Sequence, residues 1–177
     1  MEKNSVNKKS IFKDIISYLL IILLVIFIRL FLFDPVKVDG PSMDTTLSDG
    51  EVLILNKIKY KSNDIKRFDI VVAKADNTRI IKRVIGLPGD TIYCKDNEIY
   101  VNGKKIDNSF ASTKTDDFKL EDIGFTKIPG DKYFLLGDNR KVSLDSRYNE
   151  IGLVSKDNIV GKAEIIVWPF NKIGKVE

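Results

Sequence analysis

The residue best placed for nucleophilic chemistry is Ser42, in the stretch DGPSMDTTLSDG that spans residues 39–50. It follows a Gly-Pro turn and precedes a loop of small and acidic residues, so its hydroxyl is expected to be presented to a neighbouring group. A serine hydroxyl is a weak nucleophile until a base removes its proton. The chain contains no histidine, so a lysine is the substitute base to look for. Because a turn serine is more often structural, Ser42 alone does not indicate an enzyme.

Lys82 is the lysine best suited to be that base. In RIIKRVIGLPGD, residues 79–90, it alternates with apolar residues on one face of a predicted strand, and Arg83 does so on the other face. An unperturbed lysine has a pKa of about 10.4, and burial lowers that pKa by as much as about 3–5. Arginine stays protonated and must be paired, so Lys82 is the cation that can become neutral there. The alternative is that Lys82 protects an edge strand from aggregation.

A third polar stretch, GDNRKVSLDSR at residues 137–147, follows a strand that is predicted to be buried. It brings hydroxyl, carboxylate and guanidinium groups together. A functional interpretation is that one hydroxyl orients the Lys82 amine while ion pairs keep the site rigid. The alternative is an ordinary solvated turn.

Composition limits the kinds of protein that could carry these residues. The 177-residue chain is 44% hydrophobic and 31% charged, with a net charge of +4, which is typical of a globular protein. The excess is divided evenly, +2 in residues 1–35 and +2 in the remainder, so no basic patch predicts nucleic-acid binding. Cys94 is the only cysteine. With no histidine beside it, neither a metal site nor a cofactor is expected.

The N-terminal segment predicts a membrane anchor. Residues 15–33 read IISYLLIILLVIFIRLFLF, close to the ~20 apolar residues that a membrane-spanning helix needs. Residues 1–14 carry four lysines, which places the N-terminus in the cytoplasm. A cleavable secretory signal is the alternative, but the run is longer than usual and no small-x-small site follows it. A buried core helix is less compatible with a run that lacks a polar face.

Short strands and turns are predicted from Val36 onward. The apolar and β-branched stretches predict a mainly β fold over residues 36–177, while 104–131 shows the least pattern, so a variable loop or small subdomain is expected around 91–131. A hairpin should turn at Asp96-Asn97. The predicted strands and hairpin span residues 51–58, 67–74, 79–86, 91–103, 132–140 and 159–170.

These stretches together resemble the type I signal peptidases, in their bacterial, single-anchor, Ser-Lys form. GPSMDTTL is similar to the serine box of that family, RFDIVV to the next box, KRVIGLPGD to the lysine box and GDNRKVSLDSR to the last. The resemblance runs from the apolar segment to about Trp168. It implies an antiparallel β-rich catalytic domain and excludes the relatives that use histidine as the base.

The resemblance also implies roles for individual residues. Ser42 would attack the substrate carbonyl, and Lys82 would act as general base. Ser143 would hydrogen-bond the lysine amine, and Asp145 would support the site through ion pairs. The implied partners of Asp145 are Arg147 and Arg83, and Arg140 would brace the same turn.

Two positions depart from the family pattern. The family's oxyanion hole uses the backbone N–H of the nucleophile, and some members add a serine hydroxyl two positions earlier, where this chain has Gly40. One oxyanion donor is worth about 3 kcal/mol, so another group would have to replace it. Thr45 stands where the family usually has proline, which leaves the loop after Ser42 less rigid.

The family cleaves after small residues in an Ala-x-Ala pattern, which implies shallow apolar pockets. Strands of this kind offer an edge for an extended peptide. The alternative is that the same residues are simply core. The predicted substrate-binding residues are Val36, Val38, Gly40, Met43, Leu47, Ile80 and Ile81.

The resemblance and the apolar run together imply a monomeric serine endopeptidase in the plasma membrane, with a cytoplasmic N-terminus, a single pass through the lipid bilayer and an extracytoplasmic catalytic domain. Its substrates would be signal peptides of exported preproteins. Two alternatives stay open: a self-cleaving Ser-Lys protease of the repressor type, and a tethered β-rich binding module. The apolar run and the missing DNA-binding segment argue against the first.

Overall fold

The structure is a computed structural model that describes residues 8–31, 33–57, 65–75 and 78–176. Within these ranges one helix, α1 (Lys8–Phe31), precedes a succession of β-strands. The helix begins at Lys8, before the predicted membrane span of residues 15–33, and residues 1–7 of the predicted cytoplasmic segment lie outside the described ranges. No helix among the described residues combines the length and apolar character needed to cross a membrane. The anchor over 15–33 therefore stays a prediction.

The remainder of the described chain is mainly β, as predicted. The twelve strands of the described residues include seven that lie in or overlap the predicted spans, most of them shorter than predicted, and five that were not predicted. They are β1 (Phe33–Lys37), β2 (Val52–Asn56), β3 (Ile70–Ala75), β4 (Thr78–Gly86), β5 (Ile92–Lys95), β6 (Glu98–Val101), β7 (Lys104–Lys105), β8 (Phe118–Lys119), β9 (Lys132–Leu136), β10 (Val154–Ser155), β11 (Ile159–Trp168) and β12 (Gly174–Lys175).

The strands form two antiparallel sheets. In the larger sheet the order is β1-β2-β11-β3-β4-β9-β10, and β12 pairs with β11. The smaller sheet has the order β7-β6-β5-β8, and it lies in the region where a small subdomain was expected. Because β4 pairs with β3 on one side and β9 on the other, Lys82 is not on an edge strand. The edge-protection alternative is therefore wrong.

The hairpin between β5 and β6 turns where the sequence predicts. Asp96 and Asn97 have φ values of 53° and 68°, in the left-handed region that two-residue hairpin turns require. Asparagine and aspartate tolerate that region better than other side chains. The hairpin gives the smaller sheet its two longest strands.

Three clusters of buried side chains make up the core, and β4 contributes to each of them. Ile81 packs in a cluster with the loop that carries Ser42, Val84 packs in a second, and Ile85 packs in the cluster shared with the smaller sheet. This arrangement confirms that β4 is buried on both faces. Any cation in its middle must be either paired or neutral.

Candidate active site

Ser42 is carried by a closed loop that connects β1 to β2. The ends of the loop are joined by main-chain bonds, because Val38 N donates to Glu51 O at 2.7 Å and Gly50 N donates to Val38 O at 3.0 Å. Gly40 has a φ of +84°, a conformation that favours glycine. Met43, 1% exposed, packs the loop onto the larger sheet. The half-buried serine is thus presented by a loop whose base is fixed.

A buried carboxylate supports the end of this loop. Glu51 is 4% exposed, and its Oε2 accepts a hydrogen bond from Ser48 N at 3.1 Å. Its Oε1 lies 2.7 Å from Lys172 Nζ, which also donates to Ser48 Oγ at 3.1 Å. Lys172 belongs to the short turn after β11, so the C-terminal strands help to hold the serine loop.

Lys82 projects from the middle of β4 to the serine. Its Nζ lies 2.7 Å from Ser42 Oγ, and the residue is 4% exposed. Burial lowers the pKa of Lys82 from 10.5 to about 8, although the negative charges of Asp145 and Asp138 oppose this change and the positive charge of Arg147 assists it. A neutral amine at this distance can accept the serine proton. Ser42 and Lys82 together can therefore form an activated nucleophile without imidazole.

The loop after β9 brings the GDNR stretch against the serine. Asn139 N donates to Ser42 O at 3.1 Å. An added Cβ at Gly137 would lie 2.5 Å from Ser42 O and would clash with Ser143 Oγ. Only glycine permits this close approach. Gly137 therefore fixes the spacing between the two loops.

Ser143 is buried beside this contact but differs from its expected geometry. It is 3% exposed, and its Oγ has no hydrogen-bond partner among the described residues. The expected hydrogen bond to the Lys82 amine is therefore not made in this structure. A Cβ at Gly137 would touch both Ser143 Oγ and Ser42 O, so the Ser143 hydroxyl lies close to the serine loop. The role that the resemblance implies for Ser143 stays a prediction.

Asp145 pairs with Arg147, as the resemblance implies. Arg147 Nε lies 2.8 Å from Asp145 Oδ1, and Asp145 Oδ2 accepts a bond from Gly137 N at 3.0 Å. Arg140 is 1% exposed and its Nε donates to Gly137 O at 2.8 Å, so it braces the same turn. Burial lowers the pKa of Arg140 to about 10, which still leaves it cationic at neutral pH.

Arg83 has a different partner from the one expected. Its Nε and Nη2 lie 3.0 and 2.8 Å from the two carboxylate oxygens of Asp138, a bidentate pair. Asp138 Oδ2 also accepts a bond from Thr46 Oγ1 at 2.6 Å. The expected pairing of Arg83 with Asp145 is therefore wrong, because Asp145 is occupied by Arg147. The Arg83–Asp138 pair instead links β4 to the serine loop.

A narrow cleft of about 100 Å³ opens at Ser42 and Lys82. β1 and the residues after it form one wall, and the start of β4 forms the other. Arg79 Nη1 donates across the cleft end to Asp34 Oδ2 at 3.3 Å. The other lining residues are Val36, Lys37, Val38, Asp39, Met43, Ile80 and Ile81.

Two of the predicted substrate-binding residues do not line this cleft. Leu47 is 0% exposed and packs in the core, because its loop turns back through a bond from Leu47 N to Met43 O. Gly40 lies in the serine loop, and its N–H donates to Asp49 Oδ1 at 2.8 Å. A larger cavity of about 470 Å³ lies at Tyr93, Cys94 and Phe118 in the smaller sheet. It includes neither the serine nor the lysine, so we place the candidate active site at the smaller cleft.

Residues 110–115 also contact the site, and sequence reasoning missed them. Ser112 Oγ donates to Asp44 O at 2.6 Å, and Arg83 lies 4.4 Å from the centre of the Phe110 ring. The stretch FASTKT lacks the periodicity of a strand or a helix. Its density of small hydroxyl residues between two predicted strands was the only signal.

Comparisons with known proteins identify the family to which the chain is similar. A family model described as signal peptidase, peptidase S26, matches residues 11–168. Signal peptidase I of Bacillus amyloliquefaciens is 43% identical over 184 residues, which cover 99% of this chain and 98% of that protein. Signal peptidase I S of Bacillus subtilis (strain 168) is 39% identical over 180 residues, with 98% and 97% covered.

A solved structure is also similar. The crystal structure of a signal peptidase I from Enterococcus faecalis V583 superimposes with a TM-score of 0.51 at 34% identity. It covers 55% of this chain and 95% of that chain. The similarity in sequence thus extends over nearly the whole chain, and the similarity in structure over about half of it.

Proposed function

The chain belongs to the bacterial type I signal peptidases of the peptidase S26 family and is a serine endopeptidase, and on that premise we propose that it cleaves signal peptides from exported preproteins with a Ser42–Lys82 dyad. The observation that carries the proposal is the distance of 2.7 Å between Ser42 Oγ and Lys82 Nζ, in a setting that lowers the pKa of the lysine to about 8. A buried neutral amine in contact with a hydroxyl is what a histidine-free serine protease needs.

The reaction proceeds by acyl transfer. Ser42 Oγ attacks the scissile carbonyl carbon while Lys82 Nζ takes the hydroxyl proton. The tetrahedral intermediate collapses to a Ser42 ester as the Lys82 ammonium returns a proton to the leaving amine. Water then hydrolyses the ester with Lys82 again as base. Since Gly40 has no side chain to help, the backbone N–H of Ser42 stabilises the oxyanion.

Specificity for small residues follows from the cleft. A volume of about 100 Å³ between two strand segments has room for small side chains of an extended peptide and excludes bulky ones. Val36 and Val38 line one wall and Ile80 and Ile81 line the other, which supports an Ala-x-Ala preference. Strand segments along both walls offer an extended peptide an edge with which to pair.

Membrane anchoring is part of the same proposal. It rests on the apolar run at 15–33 and on the exposure of the large apolar side chains of α1 between Ile11 and Phe27, since contiguous exposed apolar surface marks a membrane or protein contact. The lysines of residues 1–14 place the N-terminus in the cytoplasm. Tethering would raise the effective concentration of the enzyme at substrates that emerge from the bilayer.

The test is cleavage of a purified preprotein by the full chain in detergent micelles. Wild type should release the signal peptide after a small residue, as located by mass spectrometry, while Ser42→Ala and Lys82→Ala should not. Lys104→Ala changes an exposed lysine at the end of the smaller sheet and should cleave like wild type. Equal, negligible turnover by all four proteins would indicate a binding module. Cleavage of the chain itself without cleavage of the preprotein would indicate a self-cleaving protease.

A further inference from the structure

Residues 110–115, here called the bridging segment, connect the smaller sheet to both loops of the candidate active site. The segment lies between β7 and β8 in the chain but leaves the smaller sheet to contact the serine loop and the loop after β9. Neither the family resemblance nor the proposed chemistry gives it a role.

Ser112 joins the two loops directly. Its hydroxyl donates to Asp44 O at 2.6 Å, and its backbone N–H donates to Asp138 O at 2.9 Å. The hydroxyl also lies 3.4 Å from Asp138 O, but its single hydrogen can serve only the closer acceptor well. Asp44 is two residues beyond the nucleophile, and Asp138 lies in the GDNR stretch. One residue thus holds the main chains of both catalytic loops.

The rest of the bridging segment is fixed on the same loop after β9. Lys141 N donates to Thr113 Oγ1 at 3.1 Å, and Arg140 Nη1 donates to the buried Thr115 Oγ1 at 2.9 Å. The ring of Phe110 lies 4.4 Å from the Arg83 guanidinium carbon and 5.7 Å from that of Arg140. These cation–π contacts hold the start of the segment against two buried cations. Ser112 is therefore held from both sides.

The Asp44 contact supplies a second support for the nucleophile. Ser42 O already accepts a bond from Asn139 N at 3.1 Å, which fixes the main chain on one side of the hydroxyl. The bond from Ser112 to Asp44 O fixes the turn two residues further along the chain. With both supports in place, the backbone around Ser42 cannot rotate freely, so Oγ stays directed at the lysine amine.

We propose that Ser112 is a positioning residue for the nucleophile, acting through Asp44 O and not on the substrate, an inference that rests on the proposed function. Ser112 has no hydrogen bond to Ser42 or to Lys82 in the described chain. Ser112 is exposed, so removing its hydroxyl leaves the core intact. Its effect is therefore expected in the chemical step and not in substrate binding.

The expected result for Ser112→Ala is a fall in kcat of about tenfold with KM unchanged, since a displacement of about 1 Å at a reacting group can cost ~100-fold. The midpoint of the pH–rate profile should stay near that of wild type, because the burial of Lys82 is not altered. Ser112→Thr keeps the hydroxyl and should restore most of the rate.

The experiment measures preprotein cleavage by the full chain in micelles for wild type and the two Ser112 variants. Each protein is assayed at two temperatures, the working temperature and a lower one well below the melting temperature. Ser109→Ala is the matched control, because the Ser109 hydroxyl bonds only to Asp107 in the described chain. The inference is supported when Ser112→Ala alone loses kcat, keeps KM and pH midpoint, and is rescued by threonine.

Three outcomes would overturn it. Ser112→Ala could match Ser109→Ala, its loss could disappear at low temperature as expected for simple destabilisation, or its pH midpoint could move upward. Failure of wild type to cleave the preprotein would remove the proposed function together with the inference. A wild type that cleaves beside a Ser112→Ala variant that is equally fast would remove only the inference.

Discussion

Lys82 and Arg83 are consecutive residues of β4, and each is 4% exposed. Their charged groups nevertheless have different partners, because the two side chains lie on opposite faces of the strand. On one face Arg83 is held by both oxygens of Asp138 and by the ring of Phe110. On the other face Lys82 contacts the Ser42 hydroxyl and forms no ion pair within the described ranges. A buried lysine without a carboxylate partner can lose its proton, whereas a buried arginine held by a carboxylate stays a structural cation. The difference depends both on the residue type and on the groups that surround each charge.

Removing the amine should produce the largest effect on activity. Lys82→Met keeps an unbranched side chain of similar length but has no basic atom to accept a proton, so kcat should fall by about 10³-fold or more. The variant should also have a higher free energy of unfolding than wild type at neutral pH. The decrease in the pKa of Lys82 from 10.5 to about 8 means that burying its charged amine costs about 3 kcal/mol, and methionine avoids this cost. Cleavage kinetics and chemical denaturation measure the two effects.

The matched control is Lys74→Met, at an exposed position of the neighbouring strand β3. It should leave both quantities unchanged. A Lys82→Met enzyme that still cleaves the preprotein at the wild-type rate would show that another group is the base.

The corresponding change on the other face should affect folding. Arg83→Met leaves the Asp138 carboxylate, 0% exposed, without its main countercharge, and breaking a buried pair in this way costs about 3–5 kcal/mol. Urea denaturation should show this loss in the free energy of unfolding. The double variant Arg83→Met with Asp138→Leu should recover part of it. Equal stability of wild type and Arg83→Met would remove the distinction between the two faces.

The contact between the serine loop and the loop after β9 can be disturbed with a single methyl group. Gly137→Ala places a Cβ 2.5 Å from Ser42 O, so the nucleophile must move, and a displacement of about 1 Å would lower kcat by ~100-fold. Gly130→Ala is the control, because nothing lies within 4 Å of an added Cβ there. Equal kinetics of the two variants would show that the close approach is not needed.

The dependence of kcat/KM on pH tests the state of Lys82 without any substitution. Only neutral Lys82 can act as base, so kcat/KM should rise about tenfold per pH unit below pH 8 and level off above it, since the pKa of Lys82 is about 8. A rise that continued to pH 10.5 would indicate a solvated amine.

Stability should follow the same group. The unfolded chain binds the Lys82 proton up to pH 10.5, while the folded chain releases it near pH 8. Between about pH 8 and 10.5 the free energy of unfolding of wild type should therefore rise with pH relative to that of Lys82→Met. A pH-independent difference would contradict the linkage.

The burial of Lys82 could be predicted from its strand, because alternating apolar residues on both faces leave a cation there no access to water. The turn at Asp96-Asn97 could be predicted as well, since its residue types match a local backbone requirement. The partner of Arg83 could not. Asp138 and Asp145 both follow β9, and only the path of the loop decides which carboxylate meets which guanidinium.

Leu47 shows a second limit. An apolar residue close to a nucleophile in sequence suggests a pocket, but the turn within the serine loop directs Leu47 into the core instead. The bridging segment shows a third. Its residues have no period, and its contacts join parts of the chain that are distant in sequence, such as Ser112 and Asp44, so no local pattern predicts where it lies.

The ion pair between Lys172 and Glu51 has a practical consequence for handling the protein. Trimming the chain after β11, or fusing a bulky tag close to that point, would remove or displace the ammonium group that neutralises a carboxylate beneath the serine loop. The position of Ser42 would be disturbed although the change was made near the C-terminus. Shortened versions intended for crystallisation should therefore retain the final hairpin through β12.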